Sequence, residues 1–466
     1  MKLLDLESAL NLDHKKVINY YKNHVNKGLL FAFRILGYNK LDVVKAKGCF
    51  LFLQNGTKIL DMTAGIGVLA LGHNHENIIK AEQKCHDLNI VDSQKFGPNK
   101  LQAALAYNFS QLLPENLNVC FFSVSGAEAN EAAIKLATIA QGKKRKYFIS
   151  TTNAYHGKTH GALSFSNTEN VSEGFHIGIN RENVIEIQYN DISAYENIIK
   201  RYGKEKIIAI ILEPIQGHDI SVPDRGYLKQ ICEISKNNNI LTIFDEIKCG
   251  LGRTGKLFEF FSDQCVPDML TVSKALGGGK NAIGAMISKK NVFLKAYGSV
   301  KDSTIHTTTF FGLGEACATA IETLNIISDE KFLTSINEKS NLFFYELNRI
   351  KKTFPKYIKN IRGKGLFIGI QFNFEKIISL GLIKFNIPYI NNVKAILMGA
   401  LVREYISKYN ILVHFNKSSP DVLLIIPPLI IDYKEIKYFI RCTEKILEKG
   451  FLNLFSKFIV KNITNN

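Results

Sequence analysis

From about residue 71 to residue 320, short apolar runs rich in β-branched residues alternate with longer stretches of helical spacing. The apolar runs are 120–124, 147–150, 207–212, 241–244 and 270–272. Strands that alternate with helices are typical of crossover units on a mainly parallel sheet. The sequence therefore predicts an α/β fold with a large, mainly parallel sheet.

The chain is too long for one core. Its 466 residues exceed the roughly 250 to 300 at which a single hydrophobic core stops growing. We expect a large domain at 71–325 and a smaller α/β domain built from both chain ends, with 1–70 as its N-terminal segment and 326–466 as its C-terminal part. The segment 1–70 carries an Asn55-Gly56 turn signal between two apolar runs, which predicts a hairpin.

The composition limits the kinds of partner that this chain is expected to bind. The net charge of +17 comes from 59 Lys and Arg against 42 Asp and Glu, and the excess is spread along the chain. We therefore expect a solvated basic surface, with no nucleic-acid partner and no membrane partner, since the apolar runs are short for a span. Eight scattered cysteines and the absence of a secretory leader predict reduced thiols and a cytoplasmic protein. His73 and His75 lack a third ligand, so no metal is predicted.

A helix N-terminus follows the strand at 120–124. Ser125 and Glu128 have the spacing of a capping box, and Gly126 between them lets a ligand approach the backbone closely. Free amides and the positive end of the helix dipole suit a phosphate group. The sequence thus predicts either a phosphate site or an ordinary capped helix here.

A second glycine-rich segment follows the strand at 241–244. Gly250, Gly252 and Gly255 match G-x-G-x-x-G, but the aromatic residues that follow are not those of a helix start, which disfavours dinucleotide binding. Asp245 ends the strand itself. Ligands of open α/β sheets bind beyond the carboxyl ends of strands, so Asp245 is a candidate partner for a ligand cation or a structural cap.

Lys274 follows the strand at 270–272 and precedes three glycines. A lysine between a strand and a loop, among apolar neighbours, can have its amine pKa lowered and act as a Schiff-base nucleophile. A phosphate-ready helix start, a strand-end carboxylate and such a lysine are together what pyridoxal 5'-phosphate (PLP) requires of a protein.

With these residues in order, the chain resembles the class III aminotransferases of the ornithine, acetylornithine and putrescine type. The motifs that carry the resemblance are SGAEANEAAIKLA, YHGKTHGAL, ILEPIQG, FDEIKCGLGRTGKLF, SKALGGG, HTTTF, IRGKGLFIGI and LLIIPPL. The resemblance spans about residues 45–430. It implies the PLP-dependent transferase fold type I.

The resemblance also implies cofactor-binding roles. Lys274 would form a Schiff base with PLP and then shuttle protons, and Asp245 would pair with the pyridinium nitrogen. Tyr155 would stack on the ring. Further contacts would come from the backbone amides of Gly126 and Ala127, and from Thr309, which would reach the phosphate of a neighbouring subunit and make the protein a homodimer.

Two further residues would contact the substrate. Arg362 would grip a substrate carboxylate, and Glu213 would line the site and offset Arg362 when the substrate lacks a second carboxylate. Two positions depart from the family pattern. Ala127 stands where a hydroxyl residue is common, and Lys248 stands where a glutamine often contacts the ring hydroxyl. A cation at Lys248 would stabilise a phenolate.

The implied activity is ping-pong transamination from a diamine or a basic or ω-amino donor to a 2-oxo acid, 2-oxoglutarate above all. Other PLP chemistry on the same residues, as in an aminomutase, a decarboxylase or a racemase, is the alternative within the cofactor class. A nucleotide- or nucleic-acid-binding protein is the alternative outside it, suggested by the charge and by the G-x-G-x-x-G spacing.

Overall fold

The structure is a computed structural model that describes residues 3–114, 116–167, 175, 181–377, 390–451 and 454. The strands, in chain order, are β1 (Val43–Lys47), β2 (Phe50–Leu53), β3 (Lys58–Asp61), β4 (Leu117–Ser123), β5 (Tyr147–Thr151), β6 (Val184–Ile187), β7 (Ile207–Leu212), β8 (Leu241–Asp245), β9 (Met269–Val272), β10 (Gly284–Lys289), β11 (Ile358–Lys364), β12 (Phe367–Phe372), β13 (Ile411–Leu412), β14 (His414–Phe415) and β15 (Val422–Ile425).

The α-helices, in chain order, are α1 (Leu6–Leu10), α2 (His14–Tyr20), α3 (Lys27–Leu36), α4 (Ala64–Gly67), α5 (Glu76–Asp87), α6 (Lys100–Leu112), α7 (Gly126–Gln141), α8 (His160–Ser164), α9 (Ile192–Tyr202), α10 (Tyr227–Asn237), α11 (Lys290–Tyr297), α12 (Gly314–Ile327), α13 (Glu330–Thr353), α14 (Phe374–Ile377), α15 (Ile390–Tyr409) and α16 (Tyr433–Lys449). Short 3-10 helices at Glu259–Asp263 and Lys274–Gly277 follow β8 and β9.

A seven-stranded sheet of order β4-β10-β9-β8-β7-β5-β6 forms the centre of the described structure. Neighbouring strands from β9 to β6 run parallel, and β10 runs antiparallel to both β4 and β9. The five predicted strands are confirmed, with ends that shift by up to three residues. The sequence reading missed β6 and β10. The fold is the predicted α/β class with a large, mainly parallel sheet.

The sequence of β7 explains its central place. All six of its residues are apolar and buried, as expected for a parallel strand covered by helices on both faces. Because β7, β8 and β9 are parallel neighbours, their carboxyl ends meet at one edge of the sheet. Glu213, Asp245 and Lys274 all lie at that edge.

The two chain ends meet in a second sheet of order β1-β2-β3-β13, in which β13 pairs in parallel with β3. The predicted hairpin at Asn55-Gly56 is present, with Gly56 at φ +80° between the antiparallel strands β2 and β3. A third sheet has the order β11-β12-β15-β14. Strands β13 and β14 belong to different sheets, because the chain leaves the second sheet after β13 and enters the third at β14. The domain bounds 1–70, 71–325 and 326–466 stay a prediction.

Over the part of the chain that the structure covers, no helix combines the length and the hydrophobicity that crossing a membrane requires. The eight cysteines are free thiols.

Candidate active site

A cavity of about 800 Å³ opens at the carboxyl edge of the central sheet. Its wall includes the last residue of β8, the lysine that follows β9 and the first residues of α7. The predicted residues that the structure brings together around this cavity are Gly126, Ala127, Tyr155, Glu213, Asp245, Lys248 and Lys274.

Asp245 is a buried acidic residue in the cavity wall. Its side chain is only 4% exposed. Oδ2 accepts hydrogen bonds from Asn130 Nδ2 and His156 Nδ1, each at 2.8 Å, and Oδ1 accepts from the backbone N–H of Ile247 at 3.0 Å. A carboxylate has about four acceptor positions, so these three bonds fix its orientation and leave capacity for one donor from a ligand.

Asn130 and His156 hold this carboxylate in place. Asn130 lies in α7, where its Nδ2 also donates to the carbonyl of His156 at 2.7 Å, and its Oδ1 accepts from Thr271 of β9. Sequence reasoning did not identify Asn130 and gave His156 no role toward Asp245. The only available signal was an asparagine within an alanine-rich helix, which does not reveal a partner 115 residues away.

Lys274 begins a 3-10 helix directly beyond β9, with φ at +42°. The preceding Ser273 hydroxyl donates to the Ile283 carbonyl at 2.9 Å and fixes the entry to this turn. Burial lowers the amine pKa of Lys274, while the charges of Asp245 and Glu213 partly oppose that shift. A lowered pKa increases the fraction of neutral amine, which is the nucleophilic form.

The N-terminus of α7 forms one end of the cavity. Ser125 caps the helix by accepting from the backbone N–H of Glu128 at 3.2 Å, and the Glu128 carboxylate accepts from the N–H of Val124. A Cβ on Gly126 would lie 2.7 Å from Cδ1 of Ile247, so only glycine leaves this approach open. Gly126 and Ala127 thus present backbone to the cavity at the positive end of the helix dipole.

Glu213 and Tyr155 lie together on another wall. Glu213 Oε2 accepts from the Tyr155 backbone N–H at 3.1 Å, and Oε1 accepts from the Gly217 N–H at 2.8 Å. Burial raises the pKa of Glu213 to about 7. Tyr155 is 37% exposed and lines the cavity.

Lys248 also lines this cavity. Its Nζ donates to the carbonyl of Gly217 and lies 5.5 Å from the centre of the Phe367 ring. Burial, with a further contribution from the charge of Lys274, lowers the pKa of Lys248 to about 7.

Thr309 and Arg362 are not part of the cavity wall in the described residues. Thr309 lies exposed in the turn region before α12. Arg362, in β11, bonds to the Asp219 carboxylate through Nη2 at 3.0 Å and to the Asp219 carbonyl through Nε at 3.0 Å. Its Nη1 donates to Gln371 at 2.9 Å. The roles expected for both residues stay predictions, and a carboxylate grip by Arg362 requires release from Asp219.

The G-x-G-x-x-G segment has a packing role. Gly255 has φ +83°, and a Cβ there would lie 2.0 Å from Asn337 Oδ1 of α13. The segment leads into the short 3-10 helix at Glu259–Asp263 and opens no α-helix, so it lacks the helix N-terminus that a dinucleotide pyrophosphate requires.

His73 likewise has an internal partner, since its Nε2 lies 3.0 Å from Asp61 Oδ2. Within the described ranges, no three His, Cys, Asp or Glu side chains cluster closely enough to hold a metal ion.

These residues fit PLP. The helix N-terminus offers donors to a phosphate, Asp245 retains acceptor capacity for a protonated ring nitrogen, and Lys274 supplies the amine for an aldehyde. The three features line one cavity.

Residues 36–447 match the family described as Aminotransferase class-III. The chain belongs to this family, whose members use PLP. It is therefore a PLP-dependent aminotransferase of fold type I.

Solved structures agree with this assignment. The chain is 25% identical to an ornithine aminotransferase from Toxoplasma gondii with partial occupancy of PLP at the active site, with a TM-score of 0.76 and coverage of 96% of this chain and 99% of that one. It is 25% identical to an (S)-enantioselective omega-transaminase from Thermomicrobium roseum, with a TM-score of 0.81 and coverage of 96% and 99%. It is also 25% identical to an adenosylmethionine-8-amino-7-oxononanoate aminotransferase from Methanocaldococcus jannaschii, with a TM-score of 0.79 and coverage of 94% and 99%.

Proposed function

We propose that this protein transfers an amino group from a diamine or a basic or ω-amino donor to a 2-oxo acid such as 2-oxoglutarate, by a ping-pong mechanism. The observation that carries the proposal is the meeting of Lys274, Asp245 and the N-terminus of α7 around one cavity. Bound PLP supplies a ring that accepts the electrons released when a bond to the amino-bearing carbon breaks.

The side chains and backbone of the protein would bind the cofactor and transfer protons. Lys274 would hold the cofactor through Nζ, and the same atom, when it is free, would carry a proton to and from the substrate carbon. Asp245, oriented by Asn130 and His156, keeps the ring nitrogen protonated. Gly126 and Ala127, which line the cavity at the start of α7, would bind the phosphate through backbone N–H groups, and Tyr155, which also lines the cavity, would cover the ring.

Glu213 supports a donor with a second amino group. It is a buried carboxylate in the cavity wall, and in the described structure it accepts hydrogen bonds from two backbone N–H groups. Burial disfavours the ionised form of Glu213, and a distal ammonium on the donor would pair with the carboxylate and favour that form. This environment favours diamines and basic amino acids over donors with an apolar side chain.

The working unit proposed is a homodimer. Thr309 lies exposed outside the cavity of its own chain, which is compatible with a contact to the phosphate of a second subunit. The free cysteines agree with the cytoplasmic location expected from the sequence.

A panel of amino donors tests this function. Diamines, ornithine-like amino acids and simple amines are mixed in turn with the PLP-loaded protein, and the absorbance of the bound cofactor is followed without an acceptor. The proposal predicts loss of the visible band with basic donors and its return on addition of 2-oxoglutarate. Product formed in large molar excess over the enzyme without any acceptor would instead identify an aminomutase, a decarboxylase or a racemase, because a transaminase alone forms at most one oxo product per cofactor before it needs an acceptor.

A further inference from the structure

Cys232 and Cys265 are two thiols that meet outside the cavity. Cys232 lies in α10, and Cys265 lies between the 3-10 helix at Glu259–Asp263 and β9, at the end of that strand opposite to Lys274. The side chain of Cys232 is a hydrogen-bond partner of the Cys265 thiol, whose Sγ also lies 3.8 Å from the Phe260 carbonyl oxygen. The two sulfur atoms are therefore neighbours.

This contact distinguishes Cys265 from the cysteines elsewhere in the chain. For the six cysteines outside the pair, burial is the main cause of a raised thiol pKa. The pKa of Cys265 is raised first by the hydrogen bond with Cys232 and then by burial. A disulfide requires two cysteines whose Cβ atoms already point toward each other. Two thiols that form a hydrogen bond meet this requirement.

The segment that carries Cys265 is also fixed to α10 by hydrogen bonds. The Asp263 carboxylate accepts from the backbone N–H of Gly226 at 3.1 Å and from that of Leu228 at 3.1 Å, at the start of the helix. Asp263 therefore holds the segment against α10 two residues before Cys265. A bond between the two sulfurs needs a small local movement and no displacement of the helix.

The pair lies close enough to the surface for a small oxidant to reach it. Cys232 is half-buried, whereas Cys265 is 7% exposed and follows the exposed Gln264. Oxidation of a cysteine depends on its exposure as well as on its thiolate character. Cys232 is therefore the first site of attack, and Cys265 is the thiol that reacts second.

We propose that Cys232 and Cys265 form a reversible intramolecular disulfide when the protein meets a peroxide. The Cys232 thiolate attacks one peroxide oxygen, the O–O bond breaks, and water leaves behind a sulfenic acid. The Cys265 sulfur then attacks the Cys232 sulfur, the S–O bond breaks, and the departing hydroxide takes the Cys265 proton as water. Two thiols lose two electrons in total and hydrogen peroxide gains them. This modification site is independent of the amino donor and the acceptor.

Hydrogen bonds connect this pair to the residue beside Asp245. The backbone N–H groups of Glu259 and Phe260 donate to the two carboxylate oxygens of Glu246, at 2.7 and 2.9 Å, and Glu246 follows Asp245 in the chain. A Cys265 sulfur in a disulfide has no hydrogen to donate to the Phe260 carbonyl. Oxidation should therefore disturb the position of Phe260 and weaken its bond to Glu246.

Peptide mapping tests the disulfide directly. The PLP-loaded protein is treated with roughly one hydrogen peroxide per chain, its remaining thiols are alkylated, and it is digested with trypsin without reductant. Trypsin places Cys232 in the peptide 230–236 and Cys265 in the peptide 257–274. We expect these two peptides linked, two hydrogens lighter than their sum, and separated again by dithiothreitol. Free thiols should fall from the eight of the chain to six.

The matched control is Cys120→Ser, which removes a half-buried thiol of β4. The linked peptides should form there as in the wild type, and they should be absent from Cys232→Ser. Wild-type protein in which Cys232 is oxidised to a sulfinic acid without any linked peptide would overturn the proposal. Linkage of Cys265 to another cysteine at equal yield in Cys232→Ser would also overturn it.

The rate at which the loaded protein loses PLP on dialysis tests the connection to Glu246. Oxidised wild type should lose PLP about two- to tenfold faster than reduced wild type, the range expected when one hydrogen bond is weakened. Dithiothreitol should restore the slower rate, and Cys232→Ser given the same peroxide should keep it. Equal rates in protein that carries the disulfide would refute the connection. Neither readout uses an amino donor, so failure of the proposed function leaves both tests intact.

Discussion

Nδ1 of His156 lies 2.8 Å from Oδ2 of Asp245, and both side chains are buried. An ionised carboxylate only accepts, so the imidazole must carry its proton on Nδ1 and donate it to Asp245. Among the described residues Nε2 of His156 has no hydrogen-bond partner. The histidine therefore orients the carboxylate that we propose to pair with the cofactor nitrogen.

His156 should thus act as a positioning residue. We expect His156→Leu to lower turnover by about tenfold or more, because the Asp245 carboxylate loses one of its fixed donors. His156→Asn, which keeps an N–H donor, should recover part of that loss. The readout is the pH dependence of the cofactor absorbance, which should change in His156→Leu. Equal thermal stability with no change in that pH profile would contradict the role.

Replacement of Asp245 should lower turnover more than replacement of His156. Replacing it by alanine removes the anion that keeps the ring nitrogen protonated, so turnover should fall by at least about a hundredfold. PLP should still be taken up, since the phosphate end and Lys274 are untouched. Single-turnover absorbance measurements with an amino donor check both points. A rate near that of wild type would contradict the assignment.

The two ends of α7 offer a paired test of the phosphate site. A Cβ at Gly126 would meet Ile247 at 2.7 Å, whereas a Cβ at Gly142, the C-cap with φ +79°, meets no atom within 4 Å. Gly126→Ala should therefore lower PLP affinity about tenfold or more. Gly142→Ala should cost roughly 1 to 3 kcal/mol of stability, because its backbone conformation (φ +79°, ψ 163°) strains a residue with a Cβ, and it should leave PLP affinity unchanged. Fluorescence titration with PLP and thermal melts separate the two effects, and equal PLP affinities would refute the site.

The sequence could predict the functional residues at the edge of the sheet, because the patterns that mark them are local in the chain. Asp245 and Lys274 each follow an apolar run, and parallel strands bring their carboxyl ends together. Gly126 follows another such run and starts a helix with its own capping residues. Periodicity and capping were enough to single out each of these residues, and their joint fit to PLP together with the family resemblance assigned them to one site.

The sequence could not predict contacts between distant parts of the chain. Asn130 and Asp245 are separated by 115 residues, and no local pattern marks the asparagine. Arg362 lies in a family motif, yet its partner Asp219 is 143 positions away, and only the folded chain shows their ion pair. Lys248 could be recognised as a departure from the family pattern, but its bond to Gly217 depends on packing between loops.

The central claim is a covalent bond between Lys274 and the cofactor. Reduction of the PLP-loaded protein with borohydride, followed by peptide mapping with mass spectrometry, tests it most directly. We predict a reduced PLP adduct on the peptide that contains Lys274, and none on that peptide in Lys274→Ala. An adduct found only on another lysine such as Lys248, or no adduct in protein that has taken up PLP, would contradict the account.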